Sequence, residues 1–224
     1  MEIHTKQCNP ANYGGARGQT DYIVVHYTAN QGDTAQNNAA YFARETVQAS
    51  AHYFVDEDQI WSSVPEQSIA WHCGAKTYWH PHCRNANSLG VELCMTGPGN
   101  VLRRGSIERG AQLVRALMQQ YGIPPENVLR HYDVTGKHCP APFVEQPALW
   151  TDFKAALCAQ DPEQMEDEQM KIYNYVQDMP GWAQQAATKA IQKGVLAMDE
   201  TGAVSVYACN LQPLVWLERT GALD

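Results

Sequence analysis

Short apolar segments with strand character alternate, over the first two thirds of the chain, with segments of helical periodicity. In 88–94, Leu89, Val91 and Leu93 alternate with small or polar residues, which is the two-residue period of a strand with one buried face. The predicted strands are 22–27, two short strands within 52–64 around a turn at 56–59, 88–94 and 128–131. A chain with this mixture is expected to form an α/β or α+β domain.

Three helices are predicted in the same part of the chain, two between these strands and one after the last of them. The first covers 33–44, with Asp33 as its N-cap, and the second covers 106–121, with Ser106 as its N-cap and Gly122 at its end. The third covers 147–158 and carries aromatic residues on one face. The periodicity therefore places helices between successive strands of the first domain.

Charged side chains are distributed unevenly along the chain, and the change in charge indicates a boundary between two domains. Residues 1–159 carry 12 basic and 14 acidic side chains, whereas residues 160–224 carry 4 basic and 10 acidic ones. The acidic segment 160–170 has few apolar residues and is predicted to be a linker. A first domain is thus expected over 1–159 and a small helical domain over 171–224.

Two helices are predicted in the small domain. One opens near Pro180 and ends before Gly194, and the other ends at Thr220, with Ser205 and Asn210 as alternative caps. The apolar face of the first of them is predicted to comprise Trp182, Ala186, Ala190 and Ile191.

Composition excludes several classes of protein. The sequence has no apolar run of about 18 residues, so membrane insertion is not expected. Its first ten residues have no apolar core, so no signal peptide is expected and synthesis is placed in the cytoplasm. The net charge of −8 disfavours binding to nucleic acid. Seven scattered cysteines do not indicate a disulfide framework and favour mostly buried thiols with one metal ligand.

Two segments carry residues suited to a metal site. His26 ends an apolar strand, and the segment 131–139 contains His131, Lys137, His138 and Cys139. Neutral imidazole and thiolate both suit Zn²⁺, and a catalytic zinc has three protein ligands and one open position. In an extended segment Lys137 and Cys139 would share one side, which favours Cys139 over His138 as a ligand. The alternative is that these are loop histidines and a buried thiol.

Five motifs in order resemble those of one family. The segments are VVHYTA, SAHYFVDEDQ, AWHCG, NSLGVEL and HYDVTGKHCP. Together they resemble the zinc-dependent N-acetylmuramoyl-L-alanine amidase type 2 family, which includes phage endolysins and is related to the peptidoglycan recognition proteins. The resemblance covers about residues 20–155 and implies an α/β fold with a mixed central sheet flanked by helices.

The resemblance also implies roles for single residues. It assigns the Zn²⁺ ligands to His26, His131 and Cys139, the catalytic acidic residue to Glu92 and the catalytic basic residue to Lys137. Glu92 would pass a proton from water to the leaving amine, and Lys137 would stabilise the oxyanion. Without the resemblance, Glu92 could equally be a solvated strand carboxylate and Lys137 would be taken for a surface lysine.

Substrate contacts are predicted on the segment that contains AWHCG. Trp71, His72 and Asn87 are the candidates for substrate binding, and Tyr78 and Trp79 are weaker ones at the cleft rim. The histidines and cysteines of 72–83 match no trusted spacing for a second metal site.

One family branch carries a tyrosine where this chain has Ala51. The proton-transfer role therefore falls on Glu92, and His52 is predicted to be structural.

The whole chain is accordingly predicted to be an endolysin-like peptidoglycan hydrolase. It would cleave the amide bond between N-acetylmuramic acid and L-alanine after release from the cytoplasm to the cell wall. The C-terminal domain resembles small helical domains of lysins, which implies cell-wall binding or homodimer formation, with a stabilising appendage as the alternative. The competing functions are a cytosolic muropeptide-recycling amidase and a peptidoglycan-binding module without catalysis.

Overall fold

The computed structural model describes residues 1–94, 101–158 and 171–223, and the chain divides into two compact units, Met1–Ala159 and Gln160–Asp224. The predicted linker, 160–170, lies outside the described residues. Within the described ranges, no helix is both long enough and apolar enough to cross a membrane.

A mixed six-stranded sheet forms the centre of the first unit. Its strands, in chain order, are β1 (His4–Thr5), β3 (Tyr22–Tyr27), β4 (Tyr53–Val55), β5 (Ile60–Ser62), β7 (Ser88–Leu93) and β8 (Val128–Arg130). Their order across the sheet is β1-β5-β4-β7-β3-β8. Only the β4–β5 pair is antiparallel among these described strands. A separate antiparallel pair consists of β2 (Tyr13–Ala16) and β6 (Ser68–Ala70).

Helices cover both faces of the central sheet. They are α1 (Ala35–Arg44), α2 (Arg104–Tyr121), α3 (His131–Thr135), α4 (Ala141–Glu145) and α5 (Pro147–Cys158). The main core lies between α2, α5 and one sheet face, and includes Leu89, Val91 and Leu93, as their alternation predicts. Helix α1 packs on the opposite face, where Ala39 and Phe54 belong to one buried cluster. The predicted mixed sheet flanked by helices is confirmed.

Three predicted boundaries were wrong by a few residues. The hydroxyl of Thr34, rather than Asp33, caps α1, because it accepts the N–H of Asn37 at 3.1 Å. Ser106 does not cap α2, since the helix begins at Arg104 and Ser106 is buried within it. Strand β8 ends at Arg130, so His131 opens a short helix instead of closing the strand.

The second unit has two helices, α6 (Gly181–Gln192) and α7 (Leu211–Arg219). It also contains a two-stranded antiparallel pair, β9 (Ile172–Tyr173) and β10 (Val206–Tyr207), which the all-helical prediction leaves out. Its core combines four alanines of α6 with larger apolar residues from α7 and the neighbouring segments. Trp182 was wrongly placed on the buried face of this helix, since its side chain is 55% exposed.

Asn12 fixes the chain segment that leads from the end of α1 towards β4. Its buried amide donates to the carbonyls of Phe42 at 3.2 Å and Glu45 at 2.7 Å. The amide oxygen accepts the N–H groups of Val47 at 2.8 Å and Gln48 at 3.1 Å. One side chain therefore supplies partners for four backbone groups of an otherwise irregular segment.

We expect Asn12→Ala to destabilise the first unit by about 2–3 kcal/mol, because it removes four hydrogen bonds between a buried amide and the backbone. The exposed Asn37 on α1 provides a matched control, and Asn37→Ala should change stability by less than about 0.5 kcal/mol. Scanning calorimetry of the full chain measures both. Equal transition temperatures for the two variants would contradict the role given to Asn12.

Candidate metal centre and cleft

Parallel pairing brings two predicted ligands to one edge of the sheet. In the β3–β8 register Val25 pairs with Arg130, so His26 and His131 follow at the same level. Cys139 reaches the same point after the chain turns through Gly136, whose φ of 78° ends α3 in the left-handed conformation. The N–H of Tyr132 donates to the carbonyl of Cys139 at 2.8 Å and closes this loop.

The donor atoms of His26, His131 and Cys139 all lie within 4.8 Å of one another. The three residues are 2%, 4% and 5% exposed, respectively. Nδ1 of His26 is 3.8 Å from Sγ of Cys139, and the buried Nδ1 of His131 has no hydrogen-bond partner among the described residues. A buried nitrogen without a partner, beside a thiol and a second imidazole, fits a metal ion that would satisfy it.

The protonation states of His26, His131 and Cys139 are compatible with binding of a cation. Burial lowers the pKa of His26 well below its ordinary value and that of His131 to about 4, so both imidazoles are neutral at pH 7 and keep a free lone pair. Burial raises the pKa of the Cys139 thiol to about 12, with the charge of Glu92 acting in the same direction. A bound cation would favour the thiolate, and two imidazoles with one thiolate match a zinc site.

Glu92 lies beside this cluster on the neighbouring strand. It pairs with His26 in the β3–β7 register, and its Oε2 is buried without a hydrogen-bond partner among the described residues. Burial raises the pKa of the carboxyl to about 7, while the positive charge of Lys137 acts against that rise. A carboxyl with a pKa near 7 can both accept and donate a proton at neutral pH.

Lys137 and His138 point to different surroundings. Lys137 is exposed and lines the same cleft as His131. Nε2 of His138 instead lies 2.9 Å from the carboxylate of Glu145. The structure thus separates the two adjacent residues in the manner that the sequence analysis expected.

The cleft over the metal cluster has a volume of about 630 Å³. Its lining comprises Gln48, Ala49, Trp71, His72, Gly74, Ala75, Asn85, His131, Thr135, Gly136 and Lys137. Trp71 and His72, the predicted substrate-binding residues of the AWHCG segment, both line this cleft.

Asn87, also predicted to contact substrate, is not among the residues that line this cleft. Its oxygen accepts the N–H of Arg84 at 2.8 Å, and its amide donates to Asp21 and to the carbonyl of His82, each at 3.3 Å. These bonds use the side chain to hold the turn before β7. Asn85, two residues earlier, lines the cleft instead and was missed, because the sequence gives no sign of which asparagine of this turn faces inward.

Two other histidines have structural contacts. His52 is fully buried, with Nδ1 accepting the N–H of Gly90 at 2.9 Å and Nε2 donating to the carbonyl of Ser68 at 3.1 Å. These contacts agree with the structural role predicted for it. The second is His72, whose ring occupies the space beside Gly90: a Cβ added at Gly90 would lie 2.6 Å from its Cγ.

Among the described residues, only His26, His131 and Cys139 bring three donor atoms close enough together to hold a metal ion. The histidines and cysteines of 72–83 therefore form no second cluster of this kind within the described ranges. Cys73 and Cys83 are instead buried with Val24 and Val134. All six cysteines that the structure describes have free thiols.

Comparison with known proteins gives consistent matches to this first unit. A family model described as N-acetylmuramoyl-L-alanine amidase matches residues 16–142. The chain is 36% identical over 142 residues to the amidase CwlL of Bacillus licheniformis, covering 59% of this chain and 39% of the relative. It is 35% identical over 144 residues to the amidase BlyA of Bacillus subtilis (strain 168), covering 58% and 39%. The chain therefore spans 39% of the length of each of these curated relatives.

Solved structures give the same result. A mutant of PlyL superimposes with a TM-score of 0.63 at 28% identity, covering 71% of this chain and 100% of that one. The catalytic domain of PlyG superimposes with a TM-score of 0.61 at 30% identity, covering 70% and 94%. The family match includes more than half of the chain and all three residues of the candidate metal centre. The chain thus belongs to the N-acetylmuramoyl-L-alanine amidase family.

Proposed function

We propose that this protein is a zinc-dependent peptidoglycan hydrolase that cleaves the amide bond between N-acetylmuramic acid and L-alanine. The single observation that carries the proposal is the meeting of His26, His131 and Cys139 beside the buried carboxyl of Glu92, at an open cleft. The relatives named N-acetylmuramoyl-L-alanine amidase support the choice of bond.

His26, His131 and Cys139 would hold the zinc ion, because they are the described residues whose donor atoms converge. Zinc bound there would lower the pKa of its water to about 7 and polarise the scissile carbonyl. Burial of the three ligands keeps competing water away from them. His131 also lines the cleft, so an ion held by these residues would border the space that a substrate would enter.

Glu92 and Lys137 supply the remaining chemistry. The free Oε2 of Glu92 takes a proton from the attacking water and returns it to the nitrogen of the leaving amine. The ammonium of Lys137, on the cleft wall, donates to the carbonyl oxygen as negative charge develops on it. Each residue thus acts where its charge is needed during the reaction.

The cleft suits a polymeric substrate. It is open to solvent, and one wall carries the half-buried indole of Trp71 near the amide of Asn85. An indole face packs well on a sugar or an alanine side chain, and an amide can pair with the peptide backbone. These contacts support peptidoglycan as the partner and an endolysin-like action on the cell wall.

The second unit is proposed to bind the wall or a second copy of the chain. Its surface exposes large apolar side chains, which on a small unit favour an interaction with another molecule. They are Ile172, Tyr175, Trp182, Val195, Met198 and Tyr207.

Cys139→Ser is expected to abolish both zinc binding and wall hydrolysis, because a serine hydroxyl is a poor replacement for thiolate. His138→Ala, one residue away, should retain both, since His138 contacts Glu145 and not the ligand cluster. Metal analysis gives the zinc content per chain, and mass spectrometry of digested walls detects newly freed L-alanine N-termini. An undamaged parent protein that contains no zinc would count against the proposal.

Glu92→Gln should keep the fold and the zinc but lower turnover by about 100-fold or more, because the amide cannot take up the proton of water. Glu126→Gln changes an exposed carboxylate and is the matched control. Initial rates on a soluble muramyl peptide measure the effect. A Glu92→Gln enzyme with parental turnover would remove this residue from the mechanism.

Trp182→Ala in the full chain is expected to reduce co-sedimentation with purified walls if the second unit binds them. Hydrolysis of a soluble muramyl peptide should stay unchanged, because the substitution leaves the first unit intact. Gln185→Ala alters another exposed residue of the same helix and serves as the control. A Trp182 variant that pellets with walls like the parent, while its sedimentation coefficient falls, would favour the homodimer instead.

A further inference from the structure

His72 joins the candidate metal centre to the backbone of the turn that precedes β7. Its Nδ1 lies 3.0 Å from Nε2 of His26, and its Nε2 lies 3.2 Å from the hydroxyl of Ser88. The Ser88 hydroxyl in turn donates to the carbonyl of Arg84 at 2.7 Å. Three hydrogen bonds in series thus link a ligand of the candidate zinc site to a fixed backbone oxygen.

The donor and acceptor of each hydrogen bond can be deduced from the bond between Ser88 and the carbonyl of Arg84. The carbonyl of Arg84 can only accept, so Ser88 donates to it and offers a lone pair to His72. A neutral His72 then carries its proton on Nε2 and its lone pair on Nδ1, which accepts the proton on Nε2 of His26. His26 is left with its lone pair on Nδ1, the nitrogen 3.8 Å from Sγ of Cys139. The series therefore selects the tautomer of His26 that presents a lone pair to the ligand cluster.

The chain is built to hold the ring of His72 in this place. Gly90 leaves room for it, since a Cβ there would lie 2.6 Å from Cγ of His72. The N–H groups of His72 and Cys73 both donate to Oδ1 of Asn85, at 3.2 Å and 2.8 Å. His52 fixes the strand from the other side by accepting the N–H of Gly90. Both the ring and the backbone that carries it are thus restrained.

We propose that His72 is a positioning residue that orients His26 and sets its tautomer for zinc, with Ser88 as the end of the series. This inference rests on the proposed zinc site and gives His72 a role that the sequence analysis did not predict. Loss of such an outer partner of a metal-binding histidine lowers metal affinity by about 10- to 100-fold.

The test compares two substitutions of His72 in the full chain. His72→Phe keeps a ring over Gly90 but removes the acceptor, and zinc affinity, measured by competition with a chromophoric chelator, should fall by about 10- to 100-fold. His72→Asn retains an acceptor oxygen near the position of Nδ1 and should recover most of that affinity. His82→Phe, at an exposed histidine, should bind zinc as the parent does.

A second readout needs no metal. Long-range ¹⁵N NMR of the zinc-free protein should show the proton of His26 on Nε2 in the parent and in His72→Asn, and a mixture of tautomers in His72→Phe. A merely structural role for His72 would lower the melting temperature of the zinc-free chain in both variants without this difference. If His72→Phe fails to fold, Ser88→Ala tests the same series and should weaken zinc binding several-fold.

The outcomes separate the inference from the proposed function. If the parent binds one zinc and His72→Phe binds it as tightly as His82→Phe does, without the tautomer change, the role of His72 is overturned. If His72→Phe fails to fold, parental zinc affinity in Ser88→Ala overturns that role. A parent that binds no zinc overturns the proposed function. In that case the NMR result still decides the inference, because a proton on Nδ1 of His26 in the parent contradicts it.

Discussion

The parallel pairing of β3 with β7 and β8 is the constraint on which the candidate site depends. This pairing places His26 opposite Glu92, and His131 follows β8 at the same level of the sheet. The fold thereby brings together ligands that lie far apart in the chain, since His26 and Cys139 are separated by more than a hundred positions. Parallel strands bring their carboxyl ends to a common edge, so one arrangement of the backbone assembles a carboxyl and two imidazoles. Only the thiol needs a further device, the turn through Gly136.

The same arrangement places buried polar atoms that have no hydrogen-bond partner among the described residues close together at the candidate site. Nδ1 of His131 and Oε2 of Glu92 are buried without hydrogen-bond partners among the described residues, and each such group costs about 1–3 kcal/mol. The opposite face of the sheet offsets this cost, because Ile23, Val25 and Leu89 are fully buried against α2 and α5 there. A region that breaks the rule of satisfied polar groups inside an otherwise well-packed fold is typical of a functional site.

Sequence reasoning succeeded where the signal is periodic and failed where it depends on side-chain direction. The alternation of Leu89 and Val91 predicts both the strand and its buried face, since the period of a strand is fixed by the backbone. Asp33 and Thr34 are both good cap residues, so local preference cannot choose between them. The exchange of Asn87 for Asn85 has a similar cause, because the Asn85–Asn87 helical turn decides which amide reaches the cleft. That turn is set by tertiary contacts with Asp21, which lies 66 positions away in the chain.

Three separated motifs meet at a single point of β7, and this meeting explains residues that have no evident role in the sequence. Gly90 is small because the ring of His72 packs on it, and His52 is buried because it accepts the N–H of Gly90. The His52 and His72 rings lie 5.9 Å apart, so both pack beside the same stretch of β7 around Gly90. A histidine beside a metal centre therefore need not touch either metal or substrate to matter for chemistry. In the proposed role, His72 determines which nitrogen of His26 carries the lone pair, and it does so through the series of hydrogen bonds that ends at the carbonyl of Arg84.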